Sequence, residues 1–429
     1  MKKFVLFAAV AGVALAGCAK VEKTVTGEPG NVPIVFEPVA NNLATKAVYY
    51  GEQNATYTGD GDDFENFRAW GFYTTGNAST TNPQNTSLSE AEGKEYFAGI
   101  VCSHEGTAPN DYWKTGYYWP YQSTTNGYMH FHAFSPADMD PCAGTLNHSW
   151  AGGFTLANFV ATDDLTKQVD LLYSNFVFDA QREQYTPNPG MPYDESTDDN
   201  SSFAHKGVNL VFNHALSSIN FVLKTDKDYS TYHTFTIKEL KVENVLKGGS
   251  FTENVTDDHT PGKYKNETGD YNKVTKTKNN GIGESPYWEP TITGSTGYAN
   301  DAITYTLIDS STGVEVTKDE KSAGNAILAV PQILEHDSHW SAIGDVKITG
   351  KFDYKFRIGT NEYVELTNVP FTKDLSGIDT YQGSSKYDDG NYWLINHRYT
   401  YTLNFKLDEI IFDPKVENWV EVTVNVDLP

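Results

Sequence analysis

The feature that most constrains the fold is a strict alternation of apolar and polar residues near the carboxyl end. Val420, Val422, Val424, Val426 and Leu428 occupy every second position, with polar residues between them. Successive side chains of a β-strand point to opposite faces, so this pattern predicts a ~30 Å strand with one wholly aliphatic face. Such a face must cover a sheet, either in its own domain or in another molecule.

The rest of the chain also has the pattern of a β-protein. Residues 399–407 alternate in the same way, and from residue 67 onward short apolar or aromatic runs alternate with turn-rich stretches. This spacing is typical of antiparallel β-sandwiches and not of βαβ units. Aromatic residues make up 14% of the 429, which excludes intrinsic disorder because disordered chains are poor in aromatics. We therefore expect an all-β fold.

The charge excludes one class of partner. The chain has 32 basic and 56 acidic residues, for a formal net charge of −24. A surface this acidic repels nucleic acid and anionic lipid headgroups. We expect no nucleic-acid partner.

The first residues predict export. Lys2 and Lys3 precede a 13-residue apolar run, which is shorter than the about 20 residues of a membrane-spanning helix and fits a secretory signal peptide at 1–17. The run ends in LAGC at 15–18, which resembles the bacterial lipobox. The resemblance implies cleavage before Cys18 and acylation of that residue with diacylglycerol and a further fatty acid such as palmitate. The alternative is an ordinary signal peptide followed by a chance cysteine.

The next segments predict the domain organisation. Residues 18–46 combine a polar tether with a short apolar run whose Pro33 and Pro38 would confine it to a sheet edge, because proline cannot donate to a ladder. A stretch rich in Pro, Asn, Asp, Ser and Gly at 181–207 predicts a boundary. We expect one β-sandwich at 47–206 and a second at 207–429.

Few residues suggest chemistry. His130 and His132 lie two apart, as metal ligands on a strand do, but no cysteine or acidic residue is close in sequence. Acidic turns at 60–63 and 194–199 lack the ligand spacing of an EF-hand. No hydrolase, metalloprotease or phosphate-loop motif occurs in the sequence. We expect no metal, no cofactor beyond the lipid on Cys18, and no enzymatic activity.

Two features leave alternatives open. Cys102 and Cys142 could pair in an oxidising compartment, or remain two buried thiols. Exposed tryptophans could stack on sugars, which keeps a glycan-binding surface lipoprotein as the alternative function, although most aromatics in a sandwich belong to the core. The candidates are Trp113, Trp119, Trp150, Trp288 and Trp340.

A series of short motifs resembles the fimbrillin family, the Mfa-like type V pilin lipoproteins of Bacteroidales. The motifs are YWP at 118–120, MHFHAFSP at 129–136, DLLY at 170–173, FNHALSSI at 212–219, LKVENV at 240–245, VPQIL at 330–334, HRYTYTL at 397–403 and IFDP at 411–414. The resemblance implies two tandem transthyretin-like antiparallel β-sandwich domains. It also implies a subunit of a cell-surface fimbria, exported through the periplasm to the outer membrane, whose partners are other fimbrillin subunits and surface ligands of a host or another bacterium.

In polymerising members of that family, a protease cuts after a basic residue near the amino end. The cut releases the first strand, and the carboxyl-terminal strand of a neighbouring subunit fills the groove. Carried onto this chain, the resemblance implies cleavage between Lys46 and Ala47, and a donor strand at Val420 to Leu428. An uncut Lys46 in a solvated loop, as in an anchor subunit, and a terminal strand that stays in its own domain are the alternatives. The sequence does not distinguish stalk, tip and anchor.

Overall fold

The structure is a computed structural model. It describes residues 33–40, 66–74, 94–105, 112–120, 128–138, 144–150, 152–180, 207–229, 231–253, 286–290, 302–335, 343–376, 392–393, 395–406 and 410–418. These residues form strands, turns and loops without a helix, which confirms the all-β fold class. In this part of the chain no helix is long and apolar enough to cross a membrane.

The strands of the first half are β1 Pro33–Ala40, β2 Asn66–Thr74, β3 Lys94–Glu105, β4 Tyr112–Tyr118, β5 Tyr128–Ser135, β6 Thr145–Ser149, β7 Gly153–Val160, β8 Leu172–Ser174, β9 Val177–Ala180 and β10 Val208–His214. Those of the second half are β11 Ser217–Thr225, β12 His233–Leu246, β13 Gly248–Thr252, β14 Tyr287–Pro290, β15 Ala302–Val316, β16 Lys321–Ser322, β17 Ile327–Ala329, β18 Gln332–Ile333, β19 Lys347–Arg357, β20 Tyr363–Asp374, β21 Tyr392–Trp393, β22 His397–Phe405 and β23 Ile410–Asn418.

The first sheet closes on itself. Its order is β2-β3-β4-β1-β10-β8-β5-β9, and β5 also pairs with β2. The seven strands from β2 to β5 therefore form a ring, and β9 extends from β5. Aromatic and aliphatic side chains from these strands fill the interior, including Phe36, Phe67, Phe131 and Phe212.

The second core lies between two sheets. One has the order β16-β11-β22-β23, and the other has the order β15-β12-β19-β20. Their buried faces meet in one cluster that includes Ile219, Leu240, Tyr305 and Tyr401. Alternation explains this packing, since β11 is buried at Ile219, Phe221 and Leu223 on every second position.

Two strand pairs depart from a purely antiparallel arrangement. Strand β1 runs parallel to β10, and β11 runs parallel to β22. Each pair joins strands that are far apart in the chain, because parallel neighbours need a long crossover connection. Antiparallel pairing dominates elsewhere among the described strands, as expected.

The change from one core to the other comes later than the expected boundary at 206/207. Strand β10 pairs with β1 and β8 of the first ring, and β11 pairs with β22 of the second sandwich. Only Ala215 and Leu216 separate the two strands. The second half also returns to the first, because β13 pairs with β7 in a sheet of order β14-β13-β7-β6. The proline-rich stretch at 181–207 precedes β10, and the domain bounds 47–206 and 207–429 stay a prediction.

Gly350 provides a test of the second sandwich. A Cβ at this position in β19 would overlap the Phe371 ring and would lie 2.5 Å from the Glu239 carbonyl oxygen. We expect Gly350→Ala to lower the free energy of unfolding by about 1–3 kcal/mol, because overpacking displaces neighbouring atoms. Chemical denaturation would measure the change.

Gly359→Ala is the matched control from the same hairpin. A Cβ there would meet only the flexible side chain of Glu362, at 3.1 Å or more. We expect this variant to unfold within about 0.5 kcal/mol of the unsubstituted protein. Equal losses for the two alanines would contradict the packing around β19.

Candidate functional site

Strand β1 occupies the gap between β4 and β10 in the first ring. It pairs antiparallel with β4 through Pro33, Val35 and Phe36, and parallel with β10 from Phe36 to Ala40. Phe36 is therefore the one residue of β1 with a paired neighbour on both sides. Without β1, the edges of β4 and β10 would have no strand between them.

The expectation that β1 is an edge strand is wrong. The two pairings overlap at one residue, so Pro33 pairs only with β4 and Pro38 only with β10. Each proline thus sits where one side of the strand has no ladder partner. A strand can therefore lie inside a sheet and still accommodate two residues that lack an N–H.

The inward face of β1 enters an aromatic core. Ile34 and Phe36 are completely buried, and Val35 is 7% exposed. The Phe36 ring lies 5.3 Å from Phe131, edge to face, and 6.0 Å from Phe67. Such ring pairs stabilise a core beyond the apolar area that they bury. Phe36 thus links the β2 and β5 sides of the ring.

A buried side-chain hydrogen bond fixes the register of β1. The Thr115 hydroxyl, in β4, donates to the Ile34 carbonyl oxygen at 2.8 Å. This bond lies beside the shift in register between Pro33 and Val35. It gives the buried carbonyl oxygen of Ile34 a hydrogen-bond donor.

Several predicted site residues lie outside the described part of the chain. They are Cys18, Lys46, Ala47, Cys142, Trp340, the acidic turns at 60–63 and 194–199, and the alternating residues Val420, Val422, Val424, Val426 and Leu428. Lipidation, cleavage, strand donation and the Cys102–Cys142 disulfide therefore stay predictions. The described chain stops at β23, which pairs antiparallel with β22 at the edge of its sheet.

Cys102 is buried in the core of the first ring. Its side chain has no exposed area, and it packs in the same cluster as Phe36. Burial raises the pKa of the Cys102 thiol far above its ordinary value, because the thiolate is poorly solvated there. A thiol in this state is a weak nucleophile.

The two histidines of β5 are buried, and one belongs to a polar cluster that joins the two halves of the chain. His132 Nε2 lies 2.9 Å from the Ser174 carbonyl oxygen and 3.1 Å from Glu253 Oε1. His132 Nδ1 lies 2.9 Å from His148 Nε2. Since a carbonyl only accepts, His132 Nε2 carries a proton. When the His132 ring is neutral, Nδ1 is therefore the acceptor and His148 Nε2 donates to it.

Burial lowers the pKa of both imidazoles in this cluster. The pKa of His132 falls to about 3 because burial penalises the charged ring. The pKa of His148 falls to about 2, chiefly through burial and additionally through its neighbour His132. The cluster is therefore a structural element that depends on neutral histidine at physiological pH.

The described residues contain no group of three or more His, Cys, Asp or Glu side chains placed to hold a metal ion. His130 and His132 are both fully buried among aromatic rings, and His130 packs on Trp150. The sequence spacing of these two histidines thus reflects a strand buried on both faces.

The tryptophans proposed as sugar platforms belong to the core wherever the structure describes them. Trp113, Trp119, Trp150 and Trp288 are between 0% and 9% exposed. A ring stacked on a sugar needs an accessible face, so these four positions do not support a glycan-binding surface.

The fimbrillin-like motifs DLLY and FNHALSSI meet at the junction between the two halves. Asp170 Oδ2 lies 2.7 Å from His214 Nδ1, and the His214 N–H donates to Asn396 Oδ1 at 3.1 Å. The Asn396 N–H in turn donates to the Leu216 carbonyl oxygen. These residues fix the point at which the chain passes from β10 to β11.

Sequence reasoning did not identify β10 as the neighbour of β1. Val208, Leu210 and Phe212 of β10 line the same core as Phe36. Their alternation in FNHALSSI and the preceding residues is a strand signal, but nothing in it identifies β1 as the partner.

No protein-family model matches the chain, and no curated protein sequence matches it. Among solved structures, a fimbrial protein from Bacteroides vulgatus is similar, with 15% identity and a TM-score of 0.44 over 82% of this chain and 93% of that one. A candidate cell adhesion protein from Bacteroides uniformis has 12% identity and a TM-score of 0.39 over 90% and 98%. Another from Bacteroides ovatus has 12% identity and a TM-score of 0.38 over 92% and 100%.

The histidine cluster makes the stability of the protein depend on pH. Because the folded-state pKa values lie below the ordinary value near 6.5, the unfolded chain binds more protons as the pH falls. The stability that these two neutral histidines contribute is fully present above pH 6.5 and decreases as the pH falls toward 3. The Gln amide in His148→Gln can still donate to His132 but does not titrate. We expect this variant to reduce the slope of the free energy of unfolding against pH by about 1 kcal/mol per pH unit between pH 6 and 4.

Denaturant unfolding at several pH values would measure this slope. Phe176→Leu is the control, because this ring packs on His132 at 4.8 Å and carries no titratable group. It should lower stability by a similar amount at each pH. If the free energy of unfolding changed with pH in the same way for His148→Gln and the unsubstituted protein, folding would not lower the pKa of His148, and the prediction would be wrong.

Proposed function

We propose that this chain is a structural or accessory subunit of a surface fimbria. It is exported as an outer-membrane lipoprotein through Cys18, is assembled by strand exchange, acts in adhesion and has no catalytic activity. The observation that carries the proposal is the position of β1, which closes the first ring and comes early in the chain. The motifs shared with fimbrillins support the same assignment.

Strand β1 has the properties of an exchangeable element. Burial of Ile34, Val35 and Phe36 is worth roughly 5–9 kcal/mol before entropy is counted, and the two ladders add backbone hydrogen bonds. A ring that loses β1 therefore exposes a groove that another apolar strand would fill. The segment 41–65 connects β1 to β2, so a cut at Lys46 would leave β1 held without a covalent link to the ring.

Residues 420–428 supply a strand of the required character. Their aliphatic face needs a sheet to cover, and only Trp419 separates them from β23, an edge strand of the second sandwich among the described strands. A donor at one end and a groove at the other make a head-to-tail contact that does not close on itself. Repetition of such a contact gives a filament.

The cleavage step predicts the effect of a single substitution. Lys46→Gln should abolish the cut, so that β1 and the lipidated tether stay attached and the protein remains at the cell surface as an unassembled subunit. Mass spectrometry of the amino terminus of shed fibres would detect Ala47 as the first residue only in the unsubstituted protein. Lys167→Gln is the control, because that side chain is 76% exposed and lies in a described loop. Normal fibres with an intact Lys46–Ala47 bond would exclude this step.

The donor step predicts a difference between the two faces of the tail. Val424→Asp should abolish polymerisation, because it places a charge on the aliphatic face, whereas Asn425→Asp adds the same charge to the polar face and should leave assembly intact. Electron microscopy of fibres shed from cells that express each variant would show whether the subunit is incorporated.

Deletion of residues 420–429 separates donation from an internal role of the tail. We expect a folded monomer with an unfolding midpoint close to that of the full chain, because under the proposal these residues complete the sheet of a neighbouring subunit and not their own domain. A loss of folding on deletion would mean that the tail completes its own domain, and donation would be excluded.

A further inference from the structure

We infer that the β1 groove selects a strand with an aromatic side chain at its centre, so that its occupant in a fibre is the strand of a different subunit and not this chain's own tail. The inference rests on the proposed function, since it concerns the strand that replaces β1. It follows from the fit of β1 to the ring and from the composition of residues 420–428.

The centre of the groove is shaped for a ring. Phe36 is the only residue of β1 at which both ladders meet, and its side chain has no exposed area. It lies between Phe67 and Phe131, which contact different neighbours in turn: Phe67 lies 5.5 Å from Phe212, and Phe131 lies 5.6 Å from Trp119. An incoming strand that leaves this position small would therefore leave a void beside the Phe67 and Phe131 rings.

The tail of this chain does not carry such a side chain. Its aliphatic face consists of Val420, Val422, Val424, Val426 and Leu428, with no aromatic residue. Protein interiors are close-packed, and a smaller side chain in a site formed by rings loses contacts on every side. A valine in the place of Phe36 would weaken binding of the strand at least about tenfold.

The same geometry defines the preferred partner. The strand should alternate apolar and polar residues, with phenylalanine at the central inward position and an aliphatic residue two positions before it, as Ile34 stands before Phe36. Tyrosine is less suitable, because its buried hydroxyl would need a hydrogen-bond partner in a core of rings. The aliphatic tail of this chain, by contrast, fits the groove of a subunit whose own first strand has no aromatic plug. Each junction of the fibre would then be heteromeric.

Displacement of β1 from a nicked chain tests the inference. The protein is produced from residue 19 onward, with the recognition sequence of a site-specific protease placed within residues 41–46. The purified protein is then cut, so that β1 is held without a covalent link. Synthetic peptides are then added, and release of the β1 fragment is followed by mass spectrometry and by fluorescence of a label on the fragment. The four peptides are residues 33–40, the same peptide with Phe36→Val, residues 420–429, and the same tail with Val424→Phe.

We expect the peptide 33–40 to displace the fragment at the lowest concentration, and its Phe36→Val form to need at least about ten times more. The native tail should be similarly weak, and Val424→Phe should improve it by about the same factor. A native tail that competes as well as residues 33–40, or that gains nothing from Val424→Phe, would overturn the selectivity. Failure of all four peptides, with the β1 fragment permanently retained, would overturn strand exchange itself and with it the proposed function.

Discussion

Closure of the first ring by a strand from the other end of its sequence is the constraint on which the structure depends. Strand β1 lies beside β10, although more than 160 residues separate their paired positions, Phe36 and Val208. Neither β4 nor β10 can bury its inner face fully unless that strand is present. The two ladders of β1 overlap only at Phe36, so this buried aromatic residue is the one position of the strand that is paired on both sides.

The two halves of the chain are joined by polar contacts as well as by shared strands. Glu253 follows β13 and receives hydrogen bonds from His132 Nε2 and the Phe154 N–H, both in the first half. Gln168 makes the opposite crossing, since its amide contacts the Ala326 carbonyl oxygen and the Leu328 N–H. Buried polar groups satisfied in this way specify one arrangement, because any shift would leave them without partners. If β1 is exchanged as proposed, we therefore expect the junction to stay intact.

The sequence could predict strands and faces, but not the neighbours of each strand. The alternation at 399–407 gave a strand that the structure places at β22, His397–Phe405, with Tyr399, Tyr401 and Leu403 buried as expected. Period-two patterning defines which face is buried and carries no information on the partner, so the position of β1 beside β10 could not be read from it. The prolines of β1 pointed to an edge because the usual rule assumes that an internal strand is paired on both sides along its whole length. In β1 each side is paired along only part of the strand. The burial of Trp113 and Trp288 likewise depends on tertiary packing, which composition does not contain.

A subunit that assembles by strand addition has to offer one groove and protect every other sheet edge. Among the described strands, most edges are short or contain proline, which has no N–H to offer an added strand. Strands β6, β9, β14 and β16 have two to five residues, while the longer edges β20 and β23 contain Pro370 and Pro414. The remaining long edge, β15, has three shifts in register against β12, and such bulges disrupt a regular ladder. Non-specific pairing is thereby disfavoured at these edges. Under the proposed exchange, the site between β4 and β10 would be the place where a new strand gains partners on both sides and buries one face.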